Sequence, residues 1–554
     1  MLKSKKSKLL ALAMTLALAG SLFAGCGNQN SANSSQTITY NINAEPKTID
    51  PGLSNSIEGG QVIVNAFEGL LDLDKNGQPV PGVAEKWDVS KDGLHYVFHL
   101  RKDAKWSDGK PVTAHDFEYA WKRALDPKTA SQYAYQLYYL KNGEAYNNSA
   151  DPKATNKATA DQVGVKAVDD YTLDVTLESP TPYFLSLMSF PTYMPVRKDI
   201  VEKHPNSWAT KASTYISDGP FMLKDWKLKD SLVLVKNPNY WDAKNIKLNT
   251  LVLKTLDQAT SYYAAFKTGQ IDIIDYPPRQ ETPQLIKNGT AKVYPYLGTY
   301  YYDLNISGNL NSSNPAVAKA LNDVRVRKAL TLAIDRTKLT KDITKGGEIP
   351  ATGFVPNGIK ETATTDFKQK DYFPAAGDVA QAKKLLADAG YPDGKGFPKM
   401  TIIYNTDQAH QDIAQAIQDM WKKNLGIQVD LRNVERKVQL TMMSNHNFQI
   451  VRDGWIADYA DPMTFLDMFT SNSGNNYSGY SNPAYDKLIA SAKAEPDAAK
   501  RMALMHQAED MLMNDMPIIP LYYYTLVSCQ KSYVKDVVRS PLGFDYFRTS
   551  YIQK

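Results

Sequence analysis

The stretch "DIAQAIQDMWKKNLGIQVDL", residues 412–431, holds a helix signal, a stop signal and a strand signal in one run. Four apolar side chains recur at the spacing that places them on one helix face: Ile413, Ile417, Met420 and Trp421. Gly426 then predicts the helix end, because glycine readily adopts the left-handed conformation that closes many helices. Alternating apolar residues follow at Ile427, Val429 and Leu431, as in a half-buried strand. A helix that leads directly into a strand favours an α/β fold.

Helical and strand patterns alternate along most of the remaining chain. Five runs predict strands by their alternating apolar and polar residues: "TITYNIN" (37–43), "YVFHLR" (96–101), "YTLDVTL" (171–177), "LVLVKN" (232–237) and "NTLVLKTL" (249–256). Three further runs have the apolar spacing of helices: "VTAHDFEYAWKRAL" (112–125), "DVAQAKKLLADAG" (378–390) and "DAAKRMALMHQAEDMLMND" (497–515). Thr113 and Asp378 are predicted to cap the first two of these helices. The alternation predicts an α/β architecture over the whole length.

The N-terminus reads as an export signal that ends at a cysteine. Four lysines precede an apolar run over residues 9–19, which is shorter than the roughly 20 residues of a membrane-spanning helix. The run "LFAGC" resembles the bacterial lipobox, although Phe23 stands where leucine is usual. We therefore expect a signal peptide over 1–25, lipid attachment at Cys26, a disordered tether over 26–35, and anchoring to the outer face of the cell membrane. An ordinary signal peptide with an incidental cysteine is the alternative.

Charge and cysteine content exclude two broad classes of protein. Without the four lysines of residues 1–25, the chain has 60 Lys and Arg against 59 Asp and Glu, and this balance gives no support to nucleic-acid binding. Cys529 is the one cysteine besides Cys26, so the protein is not a small domain held together by disulfides. The 34 tyrosines suit recognition surfaces, because tyrosine combines a large apolar face with a hydroxyl group.

The stretch "RDGWIADYADPMTF", residues 452–465, concentrates three aspartates: Asp453, Asp458 and Asp461. Their spacing does not match a calcium-binding loop. A catalytic carboxylate pair is defined by distance in space, so the sequence alone leaves that possibility open. Asp461 before Pro462 could instead begin a turn, and Asp458 could cap a neighbouring element. The residues by themselves do not choose among these roles.

Several long motifs together resemble the solute-binding proteins of bacterial peptide ABC importers. They are residues 67–131, which begin "FEGLLDLDKNGQPVPGVAEKW", then "SDGPFML" (217–223), "NPNYWDA" (237–243), "LGTYYYDLN" (297–305), "NDVRVRKALTLAIDR" (322–336), "GWIADYADPMTFL" (454–466), "SNPAYDKLI" (481–489) and "MPIIPLYYY" (516–524). The resemblance implies a two-lobed, hinged fold of three domains, like the periplasmic binding proteins. Domain I would be discontinuous and comprise 36–70, 197–298 and 523–554, domain II would be 71–196, and domain III 299–522.

The resemblance also implies a function and partners. The protein would be a monomeric lipoprotein that captures oligopeptides and delivers them to the permease and ATPase subunits of an importer. It would not be an enzyme and would use neither a cofactor nor a catalytic metal. Three alternatives are a binder of nickel, haem or sugar on the same scaffold, a receptor for signalling peptides, and a secreted hydrolase.

Site residues carry over from the family motifs one by one. Asp458 would bind the ammonium group of the peptide, Arg452 and His410 its carboxylate, and Trp455 would form a pocket wall. Glu58 would lie near a side-chain pocket. The weaker matches in the peptide site are Tyr133, Tyr524 and Lys319. Two positions depart from related proteins, because Met443 and Arg436 replace an arginine and a tryptophan and so put one carboxylate contact and one pocket wall in doubt. Asp453 and Asp461 would have turn and surface roles, and Arg452 could alternatively pair with Asp453 or another surface acid.

Overall fold

The computed structural model describes residues 36–74, 78–152, 154–362 and 364–554, with the backbone alone at residue 437. The strands are β1 Thr37–Asn41, β2 Leu71–Leu73, β3 Pro79–Pro81, β4 Ala84–Val89, β5 His95–Leu100, β6 Val165–Asp169, β7 Thr172–Thr176, β8 Phe221–Lys227, β9 Ser231–Lys236, β10 Thr250–Lys254, β11 Ile273–Asp275, β12 Ala291–Leu304, β13 Ile349–Pro350, β14 Met400–Asn405, β15 Val429–Val434, β16 Ile450–Ile456, β17 Ile518–Gln530, β18 Val534–Lys535, β19 Val538–Arg539, β20 Asp545–Tyr546 and β21 Tyr551–Ile552. The predicted signal peptide, the tether and Cys26 lie outside the described residues.

Helices lie between these strands and are named here by their residues. The α-helices are Ile57–Ala66, Ala114–Leu125, Gly143–Asn147, Phe184–Leu187, Lys198–Lys203, Ala259–Lys267, Thr282–Lys287, Leu310–Ser313, Pro315–Asn322, Val324–Leu332, Arg336–Lys338, Val379–Asp388, Gln408–Leu425, Arg436–Ser444, Met463–Leu466, Pro483–Ala494 and Ala498–Asp515. A π-helix spans Leu339–Thr344, and single 3₁₀ turns include Ala134–Leu137 and Pro191–Tyr193. Among the described residues, no helix combines the length and apolar character needed to cross a bilayer.

One large mixed sheet runs through the molecule. Its strand order is β15-β14-β16-β12-β17-β11-β1-β10-β9-β8, and β13 adds to β17. The two longest strands, β12 and β17, are antiparallel neighbours in the middle of this order. They connect two parts of the molecule that we call the first lobe and the second lobe. Strands β1 and β8–β11 belong to the first lobe, and β14–β16 belong to the second.

The pairing of β12 with β17 is interrupted where the two lobes meet. Pro295 lies opposite Thr525, whereas Thr299 lies opposite Tyr523, so three residues of β12 face one residue of β17. Gly298 lies in this bulge, and a Cβ atom there would come within 2.7 Å of the Trp455 carbonyl oxygen. Only glycine permits this close approach of the strands, and bulges of this type bend a sheet locally.

A second, four-stranded antiparallel sheet of order β4-β5-β7-β6 completes the first lobe. The helix Ala114–Leu125 packs beside this sheet and buries Phe117 and Trp121. The helix Gln408–Leu425 similarly covers β14 and β15 in the second lobe and buries Ile413, Ile417 and Trp421. Each lobe thus has helices over a sheet, which is the layered α/β arrangement.

The structure confirms the fold class and the predicted local elements. The five strand runs form β1, β5, β7, β9 and β10, and the predicted helices form at Ala114–Leu125, Val379–Asp388, Gln408–Leu425 and Ala498–Asp515. Thr113 and Asp116 form the reciprocal capping pair expected at a helix start. Gly426 ends its helix in the left-handed conformation, with a φ of 71°.

Candidate functional site

A cleft with a volume of about 430 Å³ lies between the lobes. The first lobe contributes the chain around the helix start at Ile57 and the segment before the turn Ala134–Leu137, and the second lobe contributes the end of β16. The lining side chains that matter for recognition are Gln132, Tyr133, Tyr135, Trp455, Asp458 and Phe544. This mixture of aromatic walls and a few polar groups is typical of a ligand site. Of the residues predicted from sequence, Asp458, Trp455 and Tyr133 line the cleft.

Asp458 is a half-buried carboxylate held by donors from the opposite lobe. Its Oδ2 atom accepts hydrogen bonds from Tyr135 Oη at 3.0 Å and from Gln136 Nε2 at 2.7 Å. Burial raises the pKa of Asp458 to about 7, against the opposing effect of these two hydrogen bonds. A cation in the cleft would restore the ionised form, because a positive charge stabilises a neighbouring carboxylate.

The loop that carries Asp458 is anchored by a buried ion pair. Both carboxylate oxygens of Asp461 accept from the Arg501 guanidinium, at 2.8 and 2.7 Å. Arg501 lies on the helix Ala498–Asp515 and is 2% exposed. Thr464 completes the loop by accepting hydrogen bonds from the Asp458 backbone N–H at 3.3 Å and from Trp455 Nε1 at 3.4 Å. These contacts orient Trp455 and Asp458 together.

Arg452 lies earlier on β16 and forms no salt bridge with any of the described residues. Its Nη1 atom donates to Asn405 Oδ1 at 3.3 Å and its Nη2 atom to Tyr524 Oη at 3.2 Å. Its guanidinium carbon lies 4.7 Å from the centre of the Tyr300 ring, and its buried Nε has no acceptor among the described residues. Arg452 is therefore a guanidinium group with an unused donor, positioned among tyrosines.

His410 lies beside Arg452 in the first turn of the helix Gln408–Leu425. Its Nδ1 atom is 3.1 Å from Tyr300 Oη, the same tyrosine whose ring lies beneath Arg452. Burial, together with the positive charges of Arg452, Arg279 and Arg436, lowers the pKa of His410 to about 2. His410 is therefore neutral in the unliganded protein, and a bound anion would oppose the arginine charges around it.

The remaining predicted residues are placed differently. Glu58 borders a smaller cavity of about 160 Å³ beside the main cleft, together with Tyr276 and Tyr296. Tyr524 contacts Arg452 directly, as described above. Lys319 is exposed on the helix Pro315–Asn322, and it lines neither of these two cavities.

The predicted surface roles of Asp453 and Asp461 are wrong. Asp453 is 5% exposed and accepts a hydrogen bond from Tyr301 Oη at 3.1 Å, because alternation along β16 turns it to the opposite face from Arg452. Asp461 does begin a turn, since its Oδ1 accepts from the Met463 backbone N–H at 2.9 Å, but it is buried against Arg501.

Two site residues were missed by the sequence analysis. Tyr135 and Gln136 contact Asp458, although only Tyr133 was named from the same stretch. Tyr133, two positions before Tyr135, stacks on the Tyr135 ring with ring centres 5.5 Å apart and so supports this contact. Met443, which replaces an expected arginine, is fully buried against Ile403 and takes no part in the cleft.

A cleft between two lobes that share one continuous sheet defines a solute-binding protein of the hinged type. The chain matches the model of the bacterial extracellular solute-binding proteins, family 5, over residues 78–477. It belongs to this family. It is 40% identical over 557 aligned residues to the oligopeptide-binding protein OppA of Bacillus subtilis, covering 98% of both chains.

Solved structures show the same fold. The murein tripeptide-binding protein MppA of Escherichia coli has a TM-score of 0.79 and 37% identity, and the match covers 94% of this chain and 99% of that one. OppA of Listeria monocytogenes bound to peptide has a TM-score of 0.78 and 31% identity, with coverage of 94% and 100%. These similarities confirm the predicted family and the two-lobed fold.

Proposed function

We propose that this protein captures oligopeptides outside the cytoplasm and delivers them to the permease of an ABC importer. The observation that carries the proposal is the opposite charge of two side chains at the ends of the segment 452–458, of which residues 455–458 line the cleft. The carboxylate of Asp458 follows β16, and Arg452 lies on that strand with a buried Nε that has no acceptor among the described residues. The peptide-binding relatives described above support this assignment.

The arrangement matches the constant features of a peptide. A peptide of arbitrary sequence offers a backbone, an ammonium group at one end and a carboxylate at the other. An ammonium group that loses its water needs a carboxylate, because an unpaired buried charge is very costly. Arg452 suits the other terminus, since a guanidinium can donate two parallel hydrogen bonds to a carboxylate. His410 would also contact the peptide carboxylate. Trp455 would form the wall of a side-chain pocket, and Glu58 would lie near such a pocket.

The spacing along β16 sets a scale for the ligand. Asp458 lies six positions after Arg452, which corresponds to roughly 20 Å in an extended strand. An extended peptide covers at most about 3.3–3.6 Å per residue. The extended backbone of a peptide therefore needs about six residues to span this distance, and a shorter peptide can still place its ammonium group at Asp458.

We propose three domains. Domain I comprises 36–70, 197–298 and 523–554, domain II is 71–196, and domain III is 299–522. The bulge between Pro295 and Thr299 supports a hinge at the proposed boundary, because the strands there lack regular pairing.

Peptide binding should close the lobes and lower the radius of gyration measured by small-angle X-ray scattering. An unchanged radius on saturation would contradict hinged closure.

We further infer a monomer without enzymatic activity that is anchored by lipid on Cys26. The lipobox-like sequence before Cys26 supports the anchor, and the family description supports a binding role rather than catalysis.

Radiolabelled palmitate should be incorporated into the wild-type protein and not into Cys26→Ser. Equal labelling of both proteins would rule out this site.

Mass spectrometry of molecules released from the purified protein tests the proposed function. We expect short peptides that carry a free amino terminus, and we expect added peptide to be recovered intact. A bound sugar, haem or metal complex instead of peptide would overturn the proposal. Cleaved peptide would indicate a hydrolase.

Peptide affinity should depend on pH through Asp458. Binding needs the ionised carboxylate. In the free protein, burial raises the pKa of Asp458 to about 7. It also needs the protonated peptide amine, whose pKa is about 7.7–8.0. Protons compete below pH 7, so the dissociation constant should rise up to about tenfold per pH unit there, and it should rise again above pH 8.

Isothermal titration calorimetry from pH 5.5 to 9 measures this dependence with a tetrapeptide such as Ala-Ala-Ala-Ala. Asp458→Asn should lose the acidic part of the dependence, because asparagine does not titrate. A wild-type affinity that is constant between pH 5.5 and 7 would contradict the role of Asp458.

A further inference from the structure

Three tyrosines form a contact between the lobes beside the cleft. Tyr459, in the loop after β16, stacks on Tyr183 with ring centres 4.2 Å apart and an angle of 6° between the ring planes. Its hydroxyl oxygen accepts a hydrogen bond from Tyr139 Oη at 3.1 Å. Tyr459 comes from the second lobe and the other two tyrosines come from the first, so these contacts cross the boundary between the lobes.

Tyr139 and Tyr183 are attached to the four-stranded sheet of the first lobe. The Tyr139 carbonyl oxygen accepts a hydrogen bond from the backbone N–H of Glu178, which lies just after β7, at 2.8 Å. Phe184, the neighbour of Tyr183, packs on Tyr96 of β5 with ring centres 5.0 Å apart. The Tyr139 and Tyr183 rings also meet edge to face, with centres 5.5 Å apart. The first lobe therefore holds both rings in place for the tyrosine of the second lobe.

Arg501 adds a second contact across the same boundary. Its guanidinium carbon lies 5.4 Å from the centre of the Tyr183 ring, within the range of a cation–π interaction. The ion pair with Asp461, two positions after Tyr459, fixes Arg501 to the loop that carries the stacked ring. The second lobe thus presents an aromatic ring and a cation together to Tyr183.

The stacked rings are buried and lie outside the peptide cleft. Tyr183 is 8% exposed and Tyr459 is 3% exposed. Neither ring lines the main cleft, although Asp458, the neighbour of Tyr459, does. The stack is formed between protein side chains, so its contribution to closure does not depend on the side chains of a peptide.

We propose that Tyr459 is a latch, which stabilises the closed arrangement of the lobes from outside the peptide cleft and so sets the affinity for all peptides together. A stacked aromatic pair and a buried hydrogen bond stabilise this arrangement, because both form only when the lobes meet. The apparent dissociation constant of a peptide rises as the closed fraction of the protein falls. The effect of the latch on affinity rests on the proposed function, whereas its effect on closure does not.

Tyr459→Leu tests the latch, because it removes the stacked ring and the hydrogen-bond acceptor. Isothermal titration calorimetry should show at least about tenfold weaker binding of Ala-Ala-Ala-Ala, since both interactions are lost. Tyr459→Phe retains the stacked ring and should bind within about fivefold of wild type. Tyr183→Leu removes the same stack from the first lobe and should match Tyr459→Leu, which keeps the test valid if one variant does not fold.

The loss of affinity should be the same for peptides with different side chains. Ala-Phe-Ala-Ala, Ala-Lys-Ala-Ala and Ala-Glu-Ala-Ala should each weaken by the factor found for Ala-Ala-Ala-Ala, to within about threefold, because the latch acts through closure. Tyr391→Leu is the matched control. Its ring meets that of Phe397 inside the second lobe, with centres 5.1 Å apart, so this variant should bind like wild type. A loss confined to one peptide, or wild-type affinity in both latch variants with leucine, overturns the inference.

Small-angle X-ray scattering measures closure without a peptide. Wild type should then contain a fraction of closed molecules, so its radius of gyration should be smaller than that of Tyr459→Leu. Equal radii overturn the latch and leave the peptide-binding function standing. If wild type binds no tetrapeptide, the proposed function fails, and the scattering comparison alone decides whether the latch exists.

Discussion

Asp458→Asn should weaken the binding of free-amine peptides by about 3–5 kcal/mol, the usual scale for breaking a buried charge pair. This corresponds to roughly two to almost four orders of magnitude in the dissociation constant. The substitution removes the negative charge and keeps an oxygen that can accept from Tyr135 and Gln136. The fold should therefore persist, and calorimetry at pH 7.5 should show the loss as a pure binding effect.

An N-acetylated peptide provides the chemical control for this variant. Wild type should bind the acetylated peptide far more weakly than the free-amine form, whereas Asp458→Asn should hardly distinguish the two. Asp419→Asn on the exposed side of the helix Gln408–Leu425 is the matched protein control. If Asp458→Asn binds the free-amine peptide as tightly as wild type, then Asp458 does not bind the ammonium group.

Asp461→Asn should lower the free energy of unfolding by about 3–5 kcal/mol. The substitution leaves the Arg501 guanidinium without its carboxylate partner. Because Arg501 is 2% exposed, water cannot solvate the remaining charge. Urea denaturation followed by circular dichroism measures the loss. A decrease below about 1 kcal/mol would contradict the structural importance of this pair.

A double variant distinguishes two contributions to stability: the cost of leaving a buried charge without a partner, and the net contribution of the ion pair itself. Asp461→Asn combined with Arg501→Met should be more stable than Asp461→Asn alone, because no buried charge remains. Lys493→Met is the matched control. Its partner Asp467 lies 3.2 Å away and the lysine side chain is 40% exposed, so its loss should cost about 0–1 kcal/mol.

Local patterns were sufficient to predict the element types. The helix Gln408–Leu425 and the strand β15 follow from apolar spacing and one glycine, which are properties of neighbouring residues. The order of strands in the large sheet is not local. β1 lies between β10 and β11, more than 200 residues along the chain, and no pattern within these strands specifies that pairing. The family resemblance supplied the two-lobed fold.

The site shows the same division between local and distant information. Asp458, Arg452 and Trp455 belong to one motif and could be named together. Tyr135 and Gln136 reach Asp458 across 323 and 322 residues of sequence, so nothing near either group indicates the contact. The errors at Asp453 and Asp461 have a similar origin. Their burial depends on Tyr301 and Arg501, which are distant in sequence and belong to other elements.

The hydrogen bonds that Asp458 accepts from the first lobe have a consequence for cargo release. An ammonium group beside Asp458 keeps the carboxylate charged, and a charged carboxylate accepts more strongly from Tyr135 and Gln136. Ligand occupancy and lobe closure are thus linked by one coupling free energy, which acts equally in both directions. Any partner that pulls the lobes apart removes these donors and weakens the hold on the ammonium group. A transporter could therefore unload this protein by opening it, without competing for the peptide itself.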